Sequence, residues 1–288
     1  MGSSGAAGQR GSGAACSLEQ APAGVLGLPR GPAAPPPRCL YDLSGRPGFR
    51  NMAIDRALLE RARRGEWWLR LYRWAPHCLS FGRHEPALRR YDRSRIGALG
   101  LDVVRRPTGG RAVWHADELT YALVAPDGAL GGLQESYREI HRMLLHALHR
   151  LGVPAEMAPA GRAARIDAGA CFAGPAGGEI LAGGRKLVGS AQLREGGALL
   201  QHGSILLAGR QTVVRDVTLG GAPPDLAGSL AEVTGRALPV PEVADAVAAS
   251  AAERWGGAWE PGAVTGDLLA EAARHEPTFR SPAWIWSA

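Results

Sequence analysis

One amine stands out among the side chains that could do chemistry. All but one of the 33 lysine and arginine residues are arginines, and the exception is Lys186. Arginine serves wherever only a positive charge is needed, but a guanidinium is planar, bulky and never deprotonated, so it cannot replace a compact primary amine. We therefore interpret Lys186 as a functional amine. The alternative is an exposed lysine in a tight hairpin formed by the glycines that precede it.

A cysteine thiol occurs upstream of this amine, close enough in the sequence for a turn to bring the two side chains together. Cys171 lies 15 positions before Lys186, in a glycine-rich stretch. A cysteine nucleophile reacts as the thiolate, and a neighbouring cation lowers the pKa of a thiol. The alternative is a buried, unreactive cysteine. None of the four cysteines forms a C-x-x-C pair, which argues against a disulfide scaffold or structural zinc site and favours a reducing, cytoplasmic compartment.

A glycine turn among arginines is the third feature. Gly109 and Gly110 would let backbone N–H groups approach a ligand closely. Arginine forks on either side suit a phosphate or a carboxylate. The segment therefore predicts an anion-binding turn, with a plain hairpin as the alternative, and it lacks the Walker A pattern. The flanking candidates are Arg105, Arg106, Arg111 and His115.

Histidines form the fourth set of candidates. His202 and Gly203 fall inside a predicted strand, where a glycine often marks close backbone approach. His202 could orient a substrate or act as a base, or it could be a packed core histidine. Other histidines on a predicted helix lack carboxylates at metal-binding spacing, so we expect them on a solvated face. These are His141, His146 and His149.

Hydrophobic periodicity predicts the elements that must position these groups. Helices are predicted over 51–64 and 134–151, from Pro241 onward, and over about 265–274. Strands separated from the helices indicate an α+β fold with one main domain. The predicted strands cover 68–74, 78–81, 101–106, 112–115, 119–124, 179–181, 186–193 and 198–207.

Charge and hydropathy restrict the classes of partner. The net charge of +6 and a pI near 9.6 suit an acidic partner, either nucleic acid or an acidic carrier protein. The arginines are spread along the chain and no nucleic-acid-binding signature occurs, so we expect no nucleic-acid partner. No run of 18 apolar residues exists, so we expect no membrane span.

The motifs, taken in order, resemble the biotin/lipoate protein ligase family over about residues 40–215. The first runs Arg105-Arg106-x-Thr108-Gly109-Gly110-x-Ala112-Val113-x-His115, followed by Glu118-Leu119-Thr120-Tyr121. The others are Gly184-Arg185-Lys186-x-x-Gly189-Ser190-Ala191-Gln192 and Gln201-His202-Gly203-Ser204. Asn51-Met52-Ala53-x-Asp55 and Ser80-x-Gly82 are similar to the opening helix and second strand of that family.

The resemblance implies a fold and a domain division. It implies a mixed, largely antiparallel sheet with helices packed on it, followed by a short helical C-terminal segment. Residues 1–38 are rich in glycine, alanine and proline and are predicted to form a disordered tail. The catalytic domain is then expected over 39–235, and a small helical C-terminal extension over 236–288.

Two chemistries occur in the family. Lipoate–protein ligases activate a free acid with ATP, whereas cysteine octanoyltransferases move an octanoyl group from acyl carrier protein to a lysine of a lipoyl domain without ATP. Cys171-Phe172, upstream of the lysine motif, resembles the octanoyltransferase nucleophile. Arg111 stands where ligases often have a third glycine, which disfavours a nucleotide-binding turn. We expect the octanoyltransferase; the ligase is the alternative, and an amidotransferase between lipoyl proteins or a catalytically silent binder comes third.

The resemblance also assigns the site and its partners. Cys171 and Lys186 are the expected catalytic residues. The expected substrate-binding residues are Arg105, Arg106, Gly109, Gly110, Arg111, His115, Gly189, Ser190, Gln192, His202 and Gly203. An apolar slot for the acyl chain is expected among Val113, Leu123 and Leu187. The expected partners are octanoyl acyl carrier protein and a lipoyl-domain protein, either glycine cleavage H protein or a dehydrogenase E2 subunit. No cofactor is expected, and ATP and Mg only under the ligase alternative.

Overall fold

The computed structural model describes residues 35–159, 178–221 and 225–287. Its first half contains β1 (Arg38–Arg46), α1 (Gly48–Ala62), β2 (Trp68–Trp74), β3 (Cys78–Phe81), α2 (Ala87–Arg90), α3 (Arg93–Ala98), β4 (Asp102–Arg105), β5 (Val113–His115), β6 (Glu118–Pro126) and α4 (Leu133–Arg150). There follow β7 (Glu156–Met157), β8 (Ile180–Ala182), β9 (Arg185–Lys186), β10 (Val188–Glu195), β11 (Ala198–Leu206), α5 (Thr212–Asp216), α6 (Leu230–Thr234), α7 (Val240–Trp255), β12 (Glu260–Gly262), α8 (Gly266–Ala273), α9 (Glu276–Arg280) and α10 (Pro282–Ile285).

The main sheet runs through the centre of the described chain. Its strand order is β10-β11-β6-β2-β1-β12. The pairs β10–β11, β11–β6 and β6–β2 are antiparallel, whereas β1 joins β2 and β12 in parallel. The predicted α+β fold with a mixed, largely antiparallel sheet is therefore confirmed. Every residue of β11 is buried, as expected for a strand that is covered on both faces.

Alternation along β2 explains why the sheet has a core on each face. Leu69 and Leu71 pack with α4 and α7, while Trp68 and Tyr72 pack with α1 and α8 on the opposite side. Successive side chains of a strand point to opposite faces, so this strand contributes to both layers. A smaller sheet, β4-β3-β5, packs against α5 and α10 through a third apolar cluster.

Two predicted boundaries differ from the structure for identifiable reasons. The first helix begins at Gly48, three residues before the predicted start, so Asn51 lies inside it. The Asn51 amide donates to the carbonyls of Arg46 and Arg73 at 3.2 and 3.1 Å, which ties α1 to the ends of β1 and β2. The strand predicted over 186–193 is divided at Leu187, whose N–H donates to Ile180 and whose carbonyl accepts from Leu206.

The C-terminal segment packs on both sides of the main sheet. Apolar residues of α7 lie in the core beside α4, and β12 pairs with β1 at the sheet edge. The helix α8 packs against α1. The division between residues 235 and 236 stays a prediction, and the tail predicted over 1–38 lies almost wholly outside the described residues. No helix within the described ranges combines the length and apolar composition that a membrane crossing requires.

Candidate active site

A cleft of about 320 Å³ opens between the main sheet and the smaller β4-β3-β5 sheet. That figure includes open solvent; the space open to the centre of a water molecule is about 20 Å³, which is roughly one water molecule. One wall comes from β10 and β11, and the other from β5 and the chain after β4. The lining residues are Tyr72, Trp74, Arg106, Val113, His115, Thr120, Gly189, Ser190, Ala191, His202, Gly203 and Ser204. His115, Ser190 and His202 come from three different sequence motifs, and the cleft brings these motifs together.

Lys186 is buried, with 2 % of its surface exposed. It follows the tight turn of Gly183 and Gly184, which both adopt positive φ, and its ammonium forms an ion pair with the carboxylate of Glu179. The alternative of an exposed hairpin lysine is therefore wrong. A buried cation needs a compensating charge, and Glu179 provides one. The sequence analysis assigned no role to Glu179. The signal was its position seven residues before Lys186, on the other strand of a glycine hairpin, where the two side chains can pair.

Cys171 lies outside the described residues, so its approach to Lys186 stays a prediction. The residues that flank its segment are described. The N–H of Gly178 donates to the carbonyl of Ala158 at 3.0 Å, and the N–H of Ala158 donates to Glu179 at 2.7 Å. Ala158 and Gly178, which lie on either side of the segment that contains Cys171, are therefore neighbours in space. Both lie next to Glu179, whose carboxylate pairs with Lys186.

Arg106 organises the glycine turn from inside the protein. Its guanidinium donates to the carbonyls of Gly109 and Arg111 at 3.2 and 2.8 Å, and also to Ser80. Gly110 has a φ of +86°. A Cβ at Gly82 would overlap the Gly110 carbonyl, so glycine is required there for the turn to lie this close to β3. The turn is thus held by an arginine that also lines the cleft.

Arg105 has a different role from the one predicted. Its buried guanidinium donates to the carbonyls of Gly82, Arg83 and Glu85 at 2.7–2.9 Å. It also donates to the C-terminal carbonyls of Trp284, Ile285 and Ser287 at 2.8–3.0 Å. The expectation that Arg105 meets a phosphate is corrected, because its N–H groups are directed to backbone carbonyls and the side chain is 0 % exposed.

His202 is held by a buried carboxylate. Its Nδ1 lies 3.1 Å from Asp55 Oδ2, and its Nε2 lies 2.6 Å from the hydroxyl of Thr108. Because an ionised carboxylate only accepts hydrogen bonds, Nδ1 carries the proton and Nε2 accepts from Thr108. Burial lowers the pKa of His202, and Asp55 opposes that shift. The ring is therefore neutral at neutral pH.

Asp55 is itself positioned by a buried arginine. Arg70 Nη1 lies 2.9 Å from Asp55 Oδ1 and its Nη2 lies 2.7 Å from Asp42 Oδ2, while Tyr72 donates to Asp55 at 2.9 Å. All four side chains are buried. Asp55 occurs in the motif at the start of the first helix, but a role as the partner of His202 was not predicted from the sequence.

His115 is part of a second carboxylate–histidine–hydroxyl chain. Its Nδ1 lies 2.8 Å from Glu118 Oε1, its Nε2 lies 2.6 Å from Ser80 Oγ, and its ring stacks on Trp74. Burial raises the pKa of Glu118, but interactions with His115 and hydrogen bonds from Ser204 and Thr120 outweigh burial and lower it. Glu118 is consequently an anion inside the protein, and His115 is fixed as one wall of the cleft.

Ser190 connects the cleft to a buried histidine that the sequence placed in solvent. His141 is 0 % exposed; its Nε2 lies 2.8 Å from Ser190 Oγ and its Nδ1 lies 2.6 Å from the carbonyl of Gly178. The expected solvated face is correct for His146 and His149 but wrong for His141. Helical spacing could have found it, because position 141 is four residues after Tyr137 and three before Leu144, on the apolar stripe.

Other predicted site residues divide between the cleft and the core. Val113 lines the cleft, whereas Leu123 and Leu187 are buried in the core on the α4 side and do not form the slot. Gln192 points along β10 to Ser136 and Gln201, at 2.9 and 3.2 Å, and does not line the cleft.

Glycine at position 203 brings β10 and β11 close together. A Cβ at Gly203 would lie 2.6 Å from the Gly189 carbonyl and 2.7 Å from Ser190 Oγ. Close approach at this position is what the strand glycine predicted.

Among the described residues, no group of three or more histidine, cysteine or carboxylate side chains has an arrangement that could hold a metal ion.

Comparison with known proteins places this architecture in one family. Residues 47–252 match the lipoyl protein ligase A/B catalytic domain. This chain belongs to that family. The octanoyltransferase LipM of Symbiobacterium thermophilum is 41% identical over 244 residues, which cover 78% of this chain and 89% of the relative. That of Kyrpidia tusciae is 37% identical over 86% of this chain and 97% of the relative. A match to the octanoyltransferase LipM of Moorella thermoacetica reaches 44% identity but covers 61% of that protein.

Solved structures of the lipoyl protein ligase family share the fold. A lipoate-protein ligase A bound with ATP superimposes with a TM-score of 0.72, covering 88% of this chain and 99% of that one at 20% identity. A bipartite lipoate protein ligase from Thermoplasma acidophilum gives a TM-score of 0.71 at 18% identity, covering 87% of this chain and 96% of that one. At these identities the similarity establishes the architecture and not the reaction.

Proposed function

We propose that the chain transfers an octanoyl group from acyl carrier protein to a lysine of a lipoyl-domain protein, through an acyl-Cys171 intermediate. The observation that carries this proposal is the 41% identity across 89% of an octanoyltransferase. The presence of Cys171 upstream of Lys186, the single lysine of the chain, agrees with it. The burial of Lys186 with Glu179, where the segment containing Cys171 leaves and returns, supports it further.

In the first step the Cys171 thiolate attacks the thioester carbonyl of octanoyl carrier protein. A C–S bond to Cys171 forms, the C–S bond to the carrier breaks, and the carrier thiolate leaves and takes up a proton. Thiolates are scarce at neutral pH without a neighbouring cation, and the Lys186 ammonium is the cation proposed for this task.

In the second step the acceptor lysine attacks the acyl-Cys171 as a neutral amine. A C–N bond forms, the C–S bond breaks, the Cys171 thiolate is released, and the nitrogen loses one proton. Converting a thioester to an amide is downhill, so the proposed reaction needs no nucleotide. His202 is a candidate acceptor for the proton, because Asp55 holds its ring in the cleft wall and its Nε2 accepts from the Thr108 hydroxyl, which could pass a proton from the amine to the ring.

Apolar atoms line most of the cleft, which is the kind of surface that an acyl chain binds. Tyr72, Trp74, Val113 and Ala191 contribute apolar atoms to its walls, and His115 stacks flat on Trp74 with 4.0 Å between ring centres. An acyl chain bound there would displace water from apolar surface, which favours binding. We infer that Arg111, beside the glycine turn that Arg106 holds from inside, faces the phosphate of the carrier's prosthetic group.

Intact mass spectrometry after incubation with octanoyl carrier protein tests the proposal. The wild-type chain should gain one octanoyl group, and Cys171→Ala should gain none. Cys39→Ala is the matched control and should retain the adduct, because burial raises the pKa of Cys39 to about 12 and keeps that thiol protonated.

Other donors distinguish the alternatives in the same assay. Acylation only with octanoate and ATP, accompanied by pyrophosphate release, would replace the transferase with a ligase. Acylation only from an octanoylated lipoyl-domain protein would indicate an amidotransferase. No acylation from any of the three donors would overturn all of these reactions and leave a silent binder.

A further inference from the structure

Arginines without an acidic partner are concentrated on one surface outside the cleft. Many exposed arginines pair with a carboxylate, as Arg150 does with Glu253 and Arg236 with Glu242. On the outer side of the smaller sheet, five arginines of α2, α3 and α5 have no carboxylate within 4.0 Å among the described residues. We call this set the arginine surface. Its members are Arg89, Arg90, Arg93, Arg95 and Arg215, of which Arg90 is half-buried and the others are exposed.

Backbone hydrogen bonds join the three helices into one surface. The N–H of Asp92, between α2 and α3, donates to the carbonyl of Val217, directly after α5, at 2.8 Å. The N–H of Leu219 donates to the carbonyl of Arg90 at 2.8 Å. The arginines therefore occupy neighbouring positions, although α2 and α5 are far apart in the sequence.

Two aspartates lie near these arginines without neutralising them. Asp92 accepts from the backbone N–H of Arg95 at 3.0 Å, so its carboxylate caps α3. Asp216 is exposed at the end of α5 and forms no ion pair with any described residue. Five arginines against two aspartates leave an excess of positive charge. Such an excess attracts an acidic partner before contact and favours its correct orientation.

Two exposed leucines accompany the arginines. Leu88 of α2 is 50 % exposed and Leu219 is 49 % exposed. Leu219 lies beside α2 because its N–H binds the carbonyl of Arg90. Exposed apolar side chains with a polar rim are typical of protein-binding surfaces, in which arginine is enriched. The composition therefore suits a folded acidic protein better than a nucleic acid, whose contacts with proteins are mainly ionic and go to phosphate.

The arginine surface adjoins the glycine turn at the edge of the cleft. Tyr91, directly after α2, donates to Glu85 at 2.6 Å and accepts from the backbone N–H of Ala112, at the end of the turn. Glu85 also accepts from the N–H of Gly82 at 3.2 Å, where the turn lies close to β3. A partner bound to the arginine surface would therefore lie next to the turn beside which Arg111 is proposed to meet a phosphate.

We propose that the arginine surface, together with Leu88 and Leu219, docks the acidic carrier protein that donates the octanoyl group. This inference rests on the proposed function. The donor is selected over the acceptor because only the donor brings a phosphate, on its prosthetic group, to the neighbouring turn. A small contact dominated by exposed charges is salt-sensitive and short-lived, which suits a carrier that must leave after each transfer.

Reversing two charges of the arginine surface tests the proposal with two donors. Octanoyl carrier protein presents the whole partner, whereas octanoyl phosphopantetheine presents the same thioester without the protein. In the double variant Arg89→Glu/Arg93→Glu, the concentration of octanoyl carrier protein that half-saturates acylation should rise about 10- to 100-fold. The maximal rate should stay within about threefold of wild type, and acylation by octanoyl phosphopantetheine should be unchanged. Both arginines are exposed, so the variant should fold.

A second variant, a matched control and a change of salt sharpen the test. Leu219→Ser should raise the half-saturating concentration of octanoyl carrier protein about 3- to 10-fold. Arg150→Glu/Arg274→Glu makes the same change of charge on exposed arginines of α4 and of the residue after α8, and both donors should act as on wild type. Raising NaCl from about 0.05 M to about 0.5 M should weaken saturation of the wild type about tenfold, and that of Arg89→Glu/Arg93→Glu less.

The outcomes separate this inference from the proposed function. Unchanged saturation by octanoyl carrier protein in Arg89→Glu/Arg93→Glu, or an equal loss with both donors, would overturn the docking surface and leave the transferase intact. A defect confined to transfer from the preformed acyl-enzyme to a lipoyl-domain protein would make it the surface of the acceptor. Binding of a DNA duplex that the double variant loses, with acylation unaffected, would make it a nucleic-acid surface. Absence of an acyl-enzyme from the wild-type chain with either donor would overturn the proposed function as well.

Discussion

At the scale of single residues, Lys186 shows why a buried amine cannot be exchanged for a guanidinium. Lys186→Arg should slow acylation of Cys171 by about 100-fold or more, because the larger planar group cannot occupy the same buried space beside Glu179. The rate of appearance of the acyl-enzyme in intact mass spectra measures this. Arg236→Lys, at an exposed ion pair, should acylate at the wild-type rate. Full-speed acylation by Lys186→Arg would remove the functional amine from the mechanism.

His141 predicts a pH dependence of stability at the same scale. The unfolded chain binds a proton at this histidine below about pH 6.5. The folded chain does so only below a pKa of about 4. Because the unfolded state binds more protons in this window, stability falls as pH falls through it, by about 2 kcal/mol between about pH 7.5 and about pH 5.

Urea unfolding at the two pH values measures this loss. His141→Gln has no imidazole and should lose about 2 kcal/mol less than wild type over the same interval. Parallel loss in both proteins would show that other groups govern the pH dependence.

The buried carboxyl group of Asp42 responds at a different pH. Burial raises the pKa of Asp42, but its bonds to Arg46 and Arg70 outweigh burial and lower it. Its contribution is therefore lost only at more acidic pH.

At the scale of elements, a buried ion network joins the first helix to the main sheet. Arg70 on β2 binds Asp42 of β1 and Asp55 of α1, and Asp55 in turn orients His202 of β11. The network crosses the elements that form the back of the cleft. Removing the arginine would leave Asp55 buried without its cation and Asp42 with Arg46 alone, which is far more costly than losing an exposed ion pair.

We expect Arg70→Met to lower the free energy of unfolding by about 3–5 kcal/mol, as measured in urea. Arg64→Met removes an exposed pair with Glu66 and should cost no more than about 1 kcal/mol. Equal losses in the two variants would mean that burial of the network contributes nothing. The Asp55 carboxylate would also cease to hold His202 in a single orientation, so any remaining folded Arg70→Met enzyme should be slower in transfer to lysine.

At the scale of the whole molecule, Arg105 links the turn after β3 to the C-terminal end of the described chain. Its guanidinium joins the turn after β3 to the residues at and after α10, more than 170 positions away by sequence separation. Ile285 and Trp286 pack with Phe81 in the same cluster. The C-terminal residues are consequently part of the fold that supports the glycine turn.

Arg105→Lys should lower the free energy of unfolding by about 2–4 kcal/mol, because an ammonium has three donors and cannot reproduce the planar fork. Acylation per folded molecule should stay close to wild type if Arg105 is structural. Chemical denaturation and the acylation rate, measured on the same sample, test both statements. A stable variant with weaker binding of the carrier protein would restore the phosphate-binding role predicted from the sequence.

The sequence alone determined the elements whose periodicity is strong. The strands Trp68–Trp74 and Cys78–Phe81 were predicted with the bounds that the structure has, because short runs of aromatic and apolar residues are local signals. The order of the motifs was enough to indicate the family, and residue chemistry was enough to select Lys186. Cys171 was selected in the same way and stays a prediction.

Tertiary structure decided where side chains of the same type point. Arg105 and Arg106 are neighbours in the sequence, yet Arg105 binds the C-terminal carbonyls while Arg106 holds the glycine turn, because adjacent residues at a strand end face different layers. His141 and His146 share one helix, but only His141 lies on the face covered by β10. Burial depends on what packs against a residue, and that is a property of distant segments which no local pattern contains.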